Sequence, residues 1–394
     1  MTRVALLTYR GNPHCGGQGV YVRHLSRELT TLGHHVEVFS GPPYPELDPG
    51  VRLTKVPALD LFAEPNPFRT PKWSELRTGA DWLEFLAMRR GGFGEPLAFS
   101  LRVASLLRKR RTEFDVVHDN QCLGYGLLAT GLPVLATVHH PIALDRDLSL
   151  AAGRRSARRW YRFVAMQHRV ARRLPKILTV SHAAREAIVS RMGVERVDVV
   201  PVAADTRIFH PRAEIRRVPG RIVTTASADE PLKGLAHLLT AMRDLDAELV
   251  VVGRLKPDSP VKELVSDRVR FVSGISDTDL AELVASAEVV CVPSLYEGFS
   301  LPAAEAMACG TPLVTTTAGA LPEVVGDAAV LVPPGDATAL AAELRRVLGD
   351  AELRTRLGAA GLARTAGLSW SATAQATALH YQDLLAPTGS VLTC

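Results

Sequence analysis

Short β-branched runs recur along this chain in two series, separated by segments of helical periodicity. In the first half they are VALLTY (4–9), HVEVFS (35–40), FDVVHD (114–119), PVLATVHH (133–140), KILTVS (176–181) and VDVVPV (197–202). In the second half they are RIVTTAS (221–227), ELVVVG (248–253), VRFVSG (269–274), AEVVCVPS (287–294), TPLVTTT (311–317) and AAVLVP (328–333). Stretches such as LAHLLTAMRDL and TDLAELVASA fill the gaps with helical spacing. Strand, turn, helix and strand in repetition is the grammar of a parallel sheet covered on both faces. Two doubly wound α/β domains are expected, and 394 residues are more than one core usually serves. The polar, proline-containing DTRIFHPRAEIRRVPG (205–220) marks the boundary, giving a first domain over 1–212 and a second over 213–371. SATAQATALHYQDLLA predicts a final helix, with residues 372–394 expected to pack back on the first domain.

Composition narrows the class. Hydrophobic residues at 47% and charged residues at 22% describe a globular chain without a disordered tract. The apolar run opening MTRVALLTYRG is too short for a secretory signal, and GYGLLATGLPVLATV falls short of the ~20 residues of a membrane span. The five cysteines form no C-x-x-C pair, which argues against a zinc site or disulfide framework and for the cytoplasm. The net charge of +5 hides an asymmetry: residues 1–175 hold 25 Lys+Arg against 15 Asp+Glu, hence +10, and the remainder is −5. The basic half suits an anionic membrane or acidic substrate, whereas nucleic acid is disfavoured by the lack of an interleaved aromatic pattern.

The stretch EGFSLPAAEAMACG (297–310) carries the chemistry. Glu297 is expected in the turn above the carboxyl end of a strand, and Glu305 about one turn into a helix that Pro302 helps start and Gly310 closes. Open α/β sheets bind ligands at such strand ends, and the backbone N–H groups opening this helix, at 299 to 302, suit a phosphate oxygen. A carboxylate on either side then fits the hydroxyls of a nucleotide sugar. Glu305 equally suits a helix-dipole role, and Glu297 a solvated loop.

The E-x7-E pair and its surroundings, from Thr278-Asp279 through the 287–335 portion, resemble the GT-B glycosyltransferases of family 4. This group retains anomeric configuration and uses nucleotide sugars. The resemblance spans most of the chain and is weakest across 45–110. It implies a GT-B architecture, two Rossmann-like domains facing a central cleft.

Further roles follow from the resemblance. Glu297 takes hydroxyls of the transferred sugar, Glu305 the nucleotide ribose, and the backbone at Phe299, Ser300 and Leu301 the sugar and diphosphate. Ser300 stands where many relatives have Gly. Gly16, Gly17 and Gly19 of GGQG match the loop that approaches the diphosphate, where a missing Cβ permits close approach. A dinucleotide-binding reading of that loop competes, but Val22 replaces the third glycine and Ser40 the ribose-binding acid. His139, with His140 beside it, matches a histidine facing the transferred sugar, although a strand-end histidine taken alone is more often structural. Lys233 matches a phosphate-binding lysine, and Gly274 lies in the loop that selects the base. Two departures stand out. Ser227-Ala228 replaces the usual Gly-Arg, and Val202-Ala203 replaces an Asn-Gly.

The resulting expectation is a retaining, metal-independent transfer of a hexose from a UDP- or GDP-sugar to a hydroxyl of a small-molecule, lipid or cell-envelope acceptor. No metal site and no cofactor beyond the donor are expected, since no D-x-D falls in a suitable turn. A nucleotide-sugar epimerase or hydrolase on the same fold is the alternative enzyme, and a non-catalytic nucleotide-sugar-binding protein the alternative class. Two segments bear on acceptor and location. Residues 58–111 scatter aromatics among Pro, Gly and Arg, suiting either substrate selection or loop packing. GRRSARRWYRFVAMQHRVARRL (153–174) sets eight arginines around an apolar pattern. It suits either contact with anionic lipid at the inner membrane face or a solubilising surface.

Overall fold

The computed structural model describes residues 1–12, 17–63, 66–151, 153–226, 228, 230–257 and 259–386. It divides into two compact units. Unit 1 comprises residues 1–180, 185–200 and 371–394, and unit 2 comprises 181–184 and 201–370.

Unit 1 is built on a seven-stranded, all-parallel sheet. Its strands are β1 (Arg3–Thr8), β2 (His35–Ser40), β3 (Arg52–Lys55), β4 (Val116–Asn120), β5 (Val134–Thr137), β6 (Lys176–Thr179) and β7 (Val197–Val199), in the order β3-β2-β1-β4-β5-β6-β7. The central strands are buried on both faces, which is why they read as continuous apolar runs. β3 was not anticipated: RLTK has no β-branched run and forms an edge strand whose Arg52 and Lys55 stay exposed. Charge on an edge discourages pairing with other chains. Glu37 of β2 accepts hydrogen bonds from Thr54 Oγ1 (2.5 Å) and the Arg110 guanidinium (2.7 and 2.8 Å).

Residues 58–111 are more regular than their composition suggests. They contain helices Gly79–Arg89 and Glu95–Lys109, and the second buries Ala98, Phe99, Val103, Ala104 and Leu107. It is the crossover that leads the chain into β4. The helix Trp370–Leu385 lodges Tyr381 in unit 1, where its hydroxyl meets His118 Nδ1 at 2.7 Å.

Unit 2 holds a six-stranded parallel sheet: β8 (Arg221–Thr224), β9 (Glu248–Val252), β10 (Val269–Val272), β11 (Val289–Val292), β12 (Leu313–Thr316) and β13 (Val330–Val332). The order is β10-β9-β8-β11-β12-β13. Leu238, Leu249, Val251, Val289, Val314 and Leu344 form the centre of its core. In both sheets the winding direction reverses between two neighbours, β1 and β4 in unit 1 and β8 and β11 in unit 2. Loops at the carboxyl ends of such strands diverge and leave room for a ligand.

Candidate active site

In unit 2, β8 and β11 deliver Lys233 and Glu297 to that reversal. Leu295 N–H donates to the Leu232 carbonyl (2.7 Å), joining the two loops. Lys233 Nζ then reaches Glu297 Oε1 at 3.0 Å, and Ser294 Oγ donates to the same oxygen at 2.7 Å. The Glu297 side chain is buried, so its charge is matched by a cation and a hydroxyl instead of bulk water. Two glycines make the geometry possible. Gly234 adopts φ +68°, and a Cβ there would run into the Pro293 carbonyl oxygen. Gly319 adopts φ +55°, and a Cβ there would strike the Glu297 carbonyl, which also accepts Ala320 N–H at 2.9 Å.

Glu297 leads into the helix Leu301–Ala308 through Ser300, which caps it at φ +90°. That left-handed conformation is costly for a residue with a Cβ, which explains the suitability of glycine there. Ser300 Oγ accepts Ala303 N–H at 3.4 Å. Pro302 has no N–H to give, so the donors opening the helix are those at 299 to 301, one fewer than the span read from sequence. Phe299 and Ser300 are buried, and Leu301 is half-buried. Ser181 Oγ donates to the Gly298 carbonyl (2.6 Å), fixing the turn from its other side. Glu305 projects from the same helix, half-buried, and burial assisted by Asp277 pushes its carboxyl up to about 8.

The remaining expected residues of unit 2 are less closely joined. Gly274 follows β10 at the sheet edge with φ +72° and open space around it, and no described contact ties it to the Glu297 turn. Ser227 lies outside the described residues, while Ala228 is buried. Val202 and Ala203 are also buried.

In unit 1, β4 and β5 bring a second polar group to the other reversal. His139 follows β5, and its backbone N–H donates to Gln121 Oε1 at 2.8 Å. Its Nε2 lies 2.7 Å from Asn120 Oδ1, while Asn120 Nδ2 donates to the Gln18 carbonyl at 3.3 Å. Because the Asn120 amide group is committed as a donor to Gln18, its oxygen must accept. His139 Nε2 therefore carries the proton and Nδ1 is the acceptor. Burial, with the neighbouring His140, lowers the imidazole to about 3, so the ring is neutral at ordinary pH. The edge of Tyr21 meets it, with centroids 4.8 Å apart and planes at 81°. His140 turns to Asp145 Oδ2 at 3.0 Å.

Gly17 starts the helix Gly17–Thr31, and Gly19 packs so closely that a Cβ would strike the Asn12 carbonyl. Gly16 lies outside the described residues. The His139 turn and the glycine turn are thus tied through Asn120 and Gln18. Sequence reading missed Asn120, Gln121, Ser294, Gly234 and Gly319. Their signal was positional, since each sits in or beside a turn at the carboxyl end of a strand.

Two family models match the chain. Residues 208–364 match the model described as glycosyl transferases group 1, and residues 15–207 that of glycosyltransferase family 4. The MMP alpha-(1->4)-mannosyltransferase of Mycolicibacterium hassiacum is 54% identical, with 98% of each chain covered. The chain belongs to glycosyltransferase family 4. Among solved structures, the glycosyltransferase resembles sucrose-phosphate synthase from Thermosynechococcus elongatus with a TM-score of 0.77 at 23% identity, over 98% of this chain and 99% of that one. Anabaena HepE in complex with UDP-glucose gives a TM-score of 0.72 at 15% identity, over 97% and 100%. These two likenesses establish the GT-B fold of the enzyme, with its two parallel-sheet, Rossmann-like units. Among the described residues, no group of three or more His, Cys, Asp or Glu is placed to hold a metal ion.

Proposed function

We propose that this glycosyltransferase moves a mannose-type hexose from a UDP- or GDP-sugar to a glycan hydroxyl, retaining anomeric configuration and needing no metal. The carrying observation is the Lys233–Glu297 pair at the helix start above β8 and β11. The named α-(1→4) activity of the 54% identical relative supports the choice of mannose and of a glycan acceptor. The UDP-glucose complex of HepE supports a nucleotide-sugar donor.

In this reading Glu297 accepts hydrogen bonds from the transferred sugar and Glu305 from the ribose. Lys233 and the amides of Phe299, Ser300 and Leu301 take the diphosphate. A preorganised cation and helix N-terminus stabilise charge as it develops on the leaving group, which is the usual largest source of catalytic power. A neutral His139 suits a hydroxyl better than a phosphate, since Nδ1 accepts a hydrogen bond and the ring brings no charge. The bond from the anomeric carbon to the diphosphate breaks through an oxocarbenium-like state. The new glycosidic bond forms on the same face, and the acceptor proton passes to the departing phosphate oxygen.

The test is to supply GDP- and UDP-linked hexoses with an α-mannoside acceptor in excess EDTA and to read the product by NMR. A new α-glycoside is expected. An inverted linkage overturns retention, a metal requirement overturns metal independence, and rapid donor turnover without acceptor favours a hydrolase or epimerase.

A further inference from the structure

The aromatics of residues 58–111 separate into two sets. Phe62 and Phe93 pack with Trp160 at centroid distances of 5.2–5.3 Å, and Phe99 lies in the core. Phe68, Trp73 and Trp82 do not share that burial: they are 60%, 81% and 38% exposed, and Trp73 and Trp82 rest on each other at 5.8 Å.

The helix Gly79–Arg89 shows why. Its inward stripe is Asp81, Glu84 and Met88, and both acids pair with Arg102, Asp81 at 2.5 Å and Glu84 at 2.8 Å. Its outward stripe is Trp82, Leu83 and Leu86, the leucines 44% and 40% exposed, ending in exposed Arg89 and Arg90. The helix is therefore reversed relative to an ordinary surface helix, with acids inside and Trp and Leu outside. Lys72 and Arg77, on either side of Trp73 in sequence, are also exposed, whereas the intervening Glu75 is engaged by Arg69 at 2.8 Å. Between residues 72 and 90, Glu75, Asp81 and Glu84 each pair with an arginine of the protein itself, while Trp73, Trp82, Leu83, Leu86 and the cations Lys72, Arg77, Arg89 and Arg90 face outward.

The arginine-rich segment adjoins this surface. Trp160 joins the Phe62–Phe93 cluster, and Arg159 packs against Gly91 at the end of the reversed helix. Arg158 and Arg159 are exposed, so they extend the basic margin begun by Arg89 and Arg90.

We infer that this face of unit 1 docks on the surface of an anionic lipid bilayer. Tryptophan prefers the bilayer interface, leucine enters the acyl boundary, and arginine and lysine are drawn to anionic headgroups. No helix among the described residues is long and apolar enough to cross a membrane, so the contact is one of surface docking. A neutral glycan would give the cations no role. A second copy using the same face would set like charges against each other.

Sedimentation of the full chain with phosphatidylglycerol and with phosphatidylcholine vesicles tests this. Binding to the anionic vesicles should be roughly tenfold stronger and should weaken with salt. The exposed pair Trp73→Ser/Trp82→Ser should lose binding at all salt concentrations. Arg89→Glu/Arg90→Glu should lose mainly the low-salt part. Both variants should keep transfer to a soluble acceptor, so failure here is distinguishable from failure of the proposed chemistry. Equal pelleting with both vesicle types, or unchanged binding by the tryptophan variant, overturns the proposal. A tryptophan variant that instead changes oligomeric state assigns the face to a second copy. One that raises only the acceptor KM assigns it to a glycan, and either result overturns lipid docking.

Discussion

The two polar centres, each at a sheet's reversal of winding, are built by opposite means. In unit 2 the Glu297 turn is charged: a buried carboxylate is held by Lys233 and Ser294, in a turn that Gly234 and Gly319 leave room to form. In unit 1 the His139 turn is uncharged: a neutral imidazole is fixed by two side-chain amides and the edge of Tyr21. The same topology thus supplies two kinds of electrostatics. In the proposed transfer, the fixed charge pair would serve a diphosphate and a developing cationic sugar, and the neutral acceptors would serve hydroxyls.

Substitutions should break this contrast to different degrees. Lys233→Ala removes the cation that pairs with Glu297 and should lower kcat roughly 10²-fold in steady-state transfer assays. Lys233→Arg, restoring charge without the same reach, should recover only part. Loss of less than about threefold in the alanine variant would remove the lysine from the charged centre.

Asn120→Asp converts the neutral centre into a charged one. The new carboxylate favours the imidazolium, raising His139 from its low value of about 3 towards neutrality. Below that raised value Nδ1 is protonated and cannot accept, so activity should fall as pH drops, by roughly tenfold at the acid end. The wild-type enzyme should show no limb from His139 between pH 5 and 8. A pH profile of kcat/KM for both proteins checks the sign, and identical profiles would contradict the assigned tautomer.

The smallest effect concerns Glu305. Its carboxyl is raised to about 8, so its ionised fraction grows as pH rises through that value. Donor affinity measured by calorimetry should tighten several-fold from pH 7 to 9, and Glu305→Gln should flatten that trend. For stability the sign is the reverse. A raised carboxylate pKa favours the folded state while the group is protonated and loses that benefit as pH rises towards 8.

Much of this contrast was legible in the sequence because it rests on period and punctuation. Among the described residues the β-branched runs located twelve of the thirteen strands, and RLTK escaped because an edge strand needs no apolar alternation. Glu305 and the helix could be placed because Pro302 and Gly310 mark its ends, and Glu297 because it falls in the turn just before that helix. The partners were harder to see. Ser294 and Lys233 converge on one oxygen only because β8 and β11 are neighbours, a pairing that strand order and not local sequence decides. Asn120 and Gln121 carried no motif at all, and their meaning comes from β4 lying beside β5. The aromatic insertion could not be sorted from composition. Which rings pack and which face outward depends on Asp81 and Glu84 turning inward to Arg102.

The charged centre is the heart of the account, and single-turnover transfer by Glu297→Ala tests it most directly. With donor and acceptor saturating, the variant should keep its circular dichroism spectrum and thermal midpoint while its transfer rate falls roughly 10²–10³-fold. A folded variant that transfers sugar at the wild-type rate would contradict the assignment.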